Sequence, residues 1–244
     1  VGGAELAASQ LEAILDLGAE VVPDTVLAIT ADGDIKTVTT GTGDQKAKTV
    51  IIASGARLKS LGVAGEEALF GRGVSQCADC DGGFFVDQKV VVVGGGDSAL
   101  QEALHLADYT SDITIVTRGS NLRARQSYVN RAASNPKVSF LWETTVTEIL
   151  GSESVEGVRS MPVRGGEEQI FDCSGIFVFV GLEANNGFLP DDMQRDANGF
   201  VETDGSFATS MEGVYAVGAV RSGYSGQLAS AAGEAASVVA GLSI

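Results

Sequence analysis

Two cysteines three positions apart, Cys77 and Cys80, sit in the stretch SQCADCDGGFF (75–85), with Asp81 directly after them. A two-residue spacer lets the sulfurs close a small ring or share a metal ion, so thiol–disulfide exchange and metal binding are the chemistries it serves. A structural zinc site needs four ligands, usually thiolates and imidazoles. The remaining cysteine and the only histidine are Cys173 and His105. His105 lies mid-helix in EALHLAD as a surface or partly buried residue, and Cys173 lies in the strand-like IFDCSGIF as a small buried hydrophobe. Exchange is the better fit. Asp81 could return a proton to a leaving thiolate or could open the turn at Gly82-Gly83, and both roles stay open. Phe84 and Phe85 are expected to pack in the core.

A second constellation follows in VVVVGGGDSAL (90–100), where Gly94, Gly96 and Ala99 form G-x-G-x-x-A after an all-valine strand and at the mouth of a helix. The first glycine permits the tight turn, the second lets a pyrophosphate approach the backbone, and the alanine lets helix and strand pack closely. Gly95, Asp97 and Ser98 complete the turn, where unpaired amides and the helix dipole favour phosphate. Further on, VTRGSNLRAR (116–125) carries Thr117 and Arg118, with Arg123 and Arg125 close behind, where an NAD enzyme usually has an acid for the ribose hydroxyl. Arginines concentrated there in an acidic chain suit an anion, and the 2′-phosphate of NADP is the natural candidate.

The elements that must position these residues define an α/β fold. AELAASQLEAILDLG (4–18) has helical spacing and stops at Gly18, and AEVVPDTVLAITADGDIKTVTT (19–40) alternates around Asp32-Gly33 like a β-hairpin. AKTVIIASGA (47–56) predicts a buried strand, Arg57 to Gly73 a connector, and KVVVVGGGDSALQEALHLADYTSDITIVTRG (89–119) one βαβ unit. The stretches 138–151, 155–164 and 169–181 alternate like antiparallel strands, 198–220 adds short strands and turns, and 226–244 is a helix rich in small residues. Hydrophobic content of 44% and charged content of 20% belong to a globular protein, with 244 residues for one large domain or two smaller ones. With 32 acidic against 16 basic residues, the net charge of −16 repels nucleic acid and anionic membranes. Three cysteines do not make a secreted disulfide scaffold, and neither a signal peptide nor a membrane-spanning run is visible, so a soluble cytoplasmic protein is expected. The first residue, Val1, opens almost directly into a helix, which leads us to expect that the chain shown lacks its natural start.

The stretch GRGVSQCADCDGGFFVDQKVVVVGGGDSALQEAL (71–104) resembles the low-molecular-weight thioredoxin reductases, in which Cys-x-x-Cys-Asp leads into a GGG-[DN]-[ST]-A fingerprint. TVIIASGA (49–56) is similar to that family's ATGA strand, and GVYAVGAV…GQLASAAGEAA to its closing flavin-binding segment. The resemblance implies two Rossmann-like nucleotide-binding domains: an NADP domain with the redox cysteines (63–182) inserted into an FAD domain (1–62 and 183–244). It implies FAD and NADP as cofactors, hydride passing from NADPH to FAD and on to a Cys77–Cys80 disulfide, Asp81 as proton donor, thioredoxin or a small disulfide as partner, and a homodimer. Gly94 to Ala99 would hold the NADP pyrophosphate. Arg118 and Arg123 match two arginines of the family's H-R-R-x-x-x-R signature, whose His is Thr117 here and whose second Arg is Gly119. Ser54, Gly55, Gly218, Ala219, Gln227, Leu228 and Ala229 would face the flavin nucleotide. Ala219 replaces the Asp of the family's A-G-D, and Gly226 replaces the Arg before Gln227. The family's first G-x-G-x-x-G, which seats the FAD pyrophosphate, does not precede Val1. Two other readings stay open: a flavin-linked dithiol oxidase, and a non-catalytic nucleotide-binding or redox-sensing module.

Overall fold

In a computed structural model, residues 2–242 are described, so Val1 and its position in a domain lie outside them. The chain forms two compact units, one from residues 1–55 and 184–244 and the other from 56–183. In chain order, the first unit opens with helix α1 (Gly3–Asp16), ended by Leu17 and by Gly18 at φ +77°. None of its residues is buried. Strands β1 (Val26–Asp32) and β2 (Ile35–Thr40) then form the expected hairpin around Gly33 at φ +57°. A third antiparallel strand, β3 (Gly43–Ala47), follows and pairs with β2. Its residues GDQKA carry almost no apolar signal; backbone pairing with β2 makes the strand. β4 (Val50–Ile52) follows.

The middle unit begins at Ala56, whereas the sequence places the boundary near residue 62. Strand β5 (Ala56–Leu58) pairs with β14 (Leu182–Ala184), and the Glu66 carboxylate accepts the amides of Leu61 and Gly62 at 2.8 and 2.7 Å, fixing this segment within the unit. The core of the unit is a five-stranded parallel sheet of β6 (Val74–Ser75), β7 (Lys89–Val93), β8 (Asp112–Val116), β9 (Val138–Leu141) and β13 (Gly175–Val178). The order is β6-β13-β7-β8-β9, and every pairing is parallel. Helices α3 (Asp97–Leu106) and α4 (Gln126–Ser134) connect β7 to β8 and β8 to β9. The fully buried Leu100, Ala103 and Leu106 of α3 pack with Val90, Val92, Ile113, Ile115 and Phe177 of the sheet.

β10 (Thr144–Gly151), β11 (Val155–Pro162) and β12 (Gln169–Asp172) form the antiparallel meander expected from alternation. The flanking stretches correct that expectation, because β9 and β13 belong to the parallel sheet. All four β13 residues are buried, and a strand covered on both faces loses the period-two signal. The first unit resumes with β15 (Val214–Ala216), parallel to β4, and closes with α5 (Leu228–Gly241). Within 198–220, β15 is the one named strand; the rest is held by isolated bridges and by Asp196 and Asp204 carboxylates accepting loop amides.

Candidate functional site

Across the parallel sheet, the strand order reverses between β7 and β13: β8 and β9 build outward from β7 on one side, and β13 joins on the other. In open α/β sheets a crevice for ligands opens at the carboxyl ends of the strands beside such a reversal. Gly94 follows β7 there at φ +147°, and a Cβ on it would lie 2.4 Å from the Phe179 carbonyl oxygen and 2.8 Å from Ala99 Cβ. A Cβ on Gly95 would meet Thr117 Oγ1 at 2.8 Å. Gly96 has nothing within 4 Å of its Cβ position and borders a cavity of about 730 Å³. Asp97, Ser98 and Ala99 form the first turn of α3, whose amides have no partner within the helix.

The cavity fits a dinucleotide: glycine backbone and helix amides lie at one wall, and Arg118 and Arg123 at another. Both arginines are exposed, and neither forms an ion pair among the described residues. Thr117 is buried, with its amide and carbonyl bonded to Leu141 and Thr144, so it supports the turn from below.

Cys77 and Cys80 form a disulfide in the same unit, Cys77 as the extended N-cap of the short helix α2 (Ala78–Asp81) and Cys80 within it. The Cys80 amide donates to Cys77 Sγ at 3.1 Å, and the Ala78 amide donates to Glu102 Oε2 on α3 at 2.9 Å. Ser75 Oγ donates to Asp81 Oδ2 at 2.6 Å and accepts the Cys77 amide at 3.1 Å, which ties the carboxyl to the first cysteine's backbone. Ser75 and Glu102 escape sequence reasoning; Ser75, two residues before Cys77, is the one that proximity could have flagged. His105 Nε2 lies 3.1 Å from Asp79 Oδ1 but makes no hydrogen bond of acceptable angle, so the contact is proximity only. Phe85 is buried and packs edge-on against Phe177 at 5.4 Å, as expected, whereas Phe84 is 75% exposed. Successive side chains in the turn Gly82–Phe85 point in different directions, so only one phenylalanine reaches the sheet.

Cys173 is buried, and desolvation pushes its thiol up to about 12.

In the other unit, Ser54-Gly55 and Gly218-Ala219 follow the ends of the parallel strands β4 and β15, where the Val217 amide bonds the Ile52 carbonyl at 2.9 Å. Ser54 Oγ donates to the Asn185 carbonyl at 2.6 Å, and Asn185 Nδ2 returns a bond to the Ser54 carbonyl at 3.0 Å. Glu234 of α5 is buried and accepts the Gly218 amide at 2.7 Å, Arg221 Nε at 2.9 Å and Arg221 Nη2 at 2.5 Å. Gln227 caps the fourteen-residue α5, with Leu228 and Ala229 exposed in its first turn. Gly226, at φ +79°, has open space around its Cβ position. The first-turn amides of α5 at Leu228 and Ala229 have no partner within the helix and could hold a flavin nucleotide, whereas the Gly218 amide is bonded to Glu234. Ala219 offers no carboxylate, and Glu234 is occupied by Arg221 and Gly218.

The Glu234 carboxyl is held below its usual range, first by its hydrogen bond from Arg221 and then, against burial, by the Gly218 amide. Its contribution is therefore full above the ordinary glutamate value of about 4.3 and is lost as pH falls through the lower folded value. Glu234→Gln strands a mostly buried guanidinium and is expected to cost about 2–4 kcal/mol at pH 7. Urea unfolding at a series of pH values should show that loss shrinking toward pH 3; a loss independent of pH would contradict it.

A glycine turn at a sheet reversal and a Cys-x-x-Cys disulfide in one α/β unit are the combination of pyridine nucleotide-linked disulfide oxidoreductases. Residues 7–236 match the model of the pyridine nucleotide-disulphide oxidoreductase family. Thioredoxin reductase of Treponema pallidum is 37% identical over 221 residues, covering 91% of this chain and 72% of the relative. That of Listeria monocytogenes is 39% identical over 234 residues, covering 95% and 73%. Among solved structures, Lactococcus lactis thioredoxin reductase matches at 36% identity with a TM-score of 0.88, covering 98% of this chain and 80% of that one. The chain belongs to the thioredoxin reductase family, whose members are oxidoreductases that use FAD and NADPH. The α/β fold with Rossmann-type nucleotide binding expected from the sequence is thereby established.

Proposed function

We propose that the Cys77–Cys80 disulfide is the group this reductase exchanges with its substrate, and that the substrate is a thioredoxin-like protein or a small disulfide. The observation that carries the reading is the closed disulfide in the same compact unit as the glycine-lined cavity. When bound, NADPH would supply a hydride by way of FAD, that is two electrons and one proton, and with a second proton from solvent this would convert the disulfide to a dithiol. One thiolate of the pair then attacks a sulfur of the substrate disulfide, the other substrate sulfur leaves as thiolate, and the second cysteine closes on the first to release a reduced substrate. Asp81 holds the proton for a leaving thiolate. Ser75 occupies Oδ2 and leaves Oδ1 for that task. Gly94 to Ala99 seat the NADP pyrophosphate, and Arg118 and Arg123 take its 2′-phosphate. Ser54, Gly55, Gly218, Ala219, Gln227, Leu228 and Ala229 face the flavin nucleotide. The domain reading follows: residues 56–183 carry NADP and the redox pair, and the flanking unit carries FAD. We further propose a cytoplasmic homodimer; no helix among the described residues is long and apolar enough to cross a membrane.

The visible spectrum of the full-length protein, recorded without oxygen before and after NADPH, tests this reading. A flavin band that bleaches, with two new thiols per chain and reduction of added thioredoxin, is expected. A band untouched by NADPH, or bleaching without new thiols, would overturn it.

A further inference from the structure

The irregular segment Arg118–Arg125 between β8 and α4 contains three arginines, and the structure uses them differently. Arg118 and Arg123 have exposed guanidiniums without a carboxylate partner among the described residues, whereas Arg125 is engaged. Its amide donates to Asp97 Oδ1 at 2.6 Å and its Nε to Asp97 Oδ2 at 2.9 Å, so both oxygens of one carboxylate grip one residue. The Arg123 amide donates to the Gly95 carbonyl at 2.7 Å. The arginine segment is thus fastened to the glycine turn at three points, two of them through Asp97.

Asp97 is the first residue of α3 and lines the cavity. An unpaired carboxylate there would repel a phosphate. Arg125 cancels that charge and turns it into an anchor.

We infer that the Asp97–Arg125 pair is a latch that positions Arg118 and Arg123, and that it sets the preference for a nucleotide bearing a 2′-phosphate over one bearing a 2′-hydroxyl. The inference rests on the proposal that this cavity takes NADP. Asp97 and Arg125 are positioning residues in it. Their side chains are 38% and 62% exposed, so the ion pair adds little to fold stability; its effect lies in where the segment is held. Unlatched, the segment must be ordered when the phosphate binds, which lowers affinity roughly two- to tenfold for each long side chain immobilised. A ligand without the 2′-phosphate does not need the arginines and escapes that loss.

Calorimetric titration of the intact protein with 2′-phospho-ADP-ribose and with ADP-ribose tests the latch without any electron transfer. Arg125→Gln should weaken 2′-phospho-ADP-ribose about tenfold more than it weakens ADP-ribose. Arg125→Lys, which keeps the charge and the amide donor, should recover most of the loss. If both ligands weaken in parallel, or neither does while the unaltered protein binds both, the latch is wrong and the nucleotide reading stands. If the unaltered protein binds neither ligand, both fall.

Discussion

Replacing Cys80 with serine is expected to lower NADPH-driven disulfide reduction by more than about a thousandfold while leaving nucleotide binding unchanged. A serine oxygen cannot enter a disulfide, so the exchanging pair is lost, yet the glycine turn and the arginine segment belong to other elements. The remaining Cys77 should also form a mixed disulfide with substrate that no second thiol resolves, visible as a covalent adduct on a non-reducing gel. NADPH oxidation coupled to thioredoxin reduction gives the rate, and calorimetry the binding. Undiminished turnover in this variant would remove the pair from the reaction.

Gly94→Ala should be the most damaging small change in the nucleotide turn. Its φ of +147° is poorly tolerated by a side chain, and the added methyl would press on the Phe179 carbonyl and Ala99 Cβ, forcing β13 and α3 away from the end of β7. We expect a loss of about 2–4 kcal/mol in stability, read from the urea midpoint, together with lost nucleotide binding. Gly96→Ala separates the two effects. It adds its methyl to open space at a φ of −102°, so the midpoint should move by less than about 0.5 kcal/mol while nucleotide affinity still falls. Equal destabilisation by both substitutions would contradict this division of roles.

The glycine turn was legible in the sequence because its constraints are local. An unbroken valine run, a left-handed glycine and an alanine one turn into a helix each report on neighbours a few residues away. The hairpin at Asp32-Gly33 was legible for the same reason. What stayed hidden depends on partners distant in the chain. Nothing near Glu234 announces Arg221 and the Gly218 amide as its partners, nor does Asp97 name Arg125, 28 residues on. Polar β3 is a strand only because β2 offers it an edge. Of two adjacent phenylalanines, only the fold decides that Phe85 meets Phe177 and Phe84 meets solvent. The residues around the disulfide follow this pattern, since Asp81 was conspicuous by adjacency while Glu102 reaches Ala78 from another helix.

A reductase that handles disulfides while carrying three cysteines has three ways to pair them within one chain. Cys173, sealed behind the sheet and poorly ionised at neutral pH, supplies neither an accessible sulfur nor an appreciable thiolate. Scrambling is thereby closed off at its first step. Even in the reduced state, when Cys77 and Cys80 are both free, the buried Cys173 offers them no accessible third sulfur within these 244 residues.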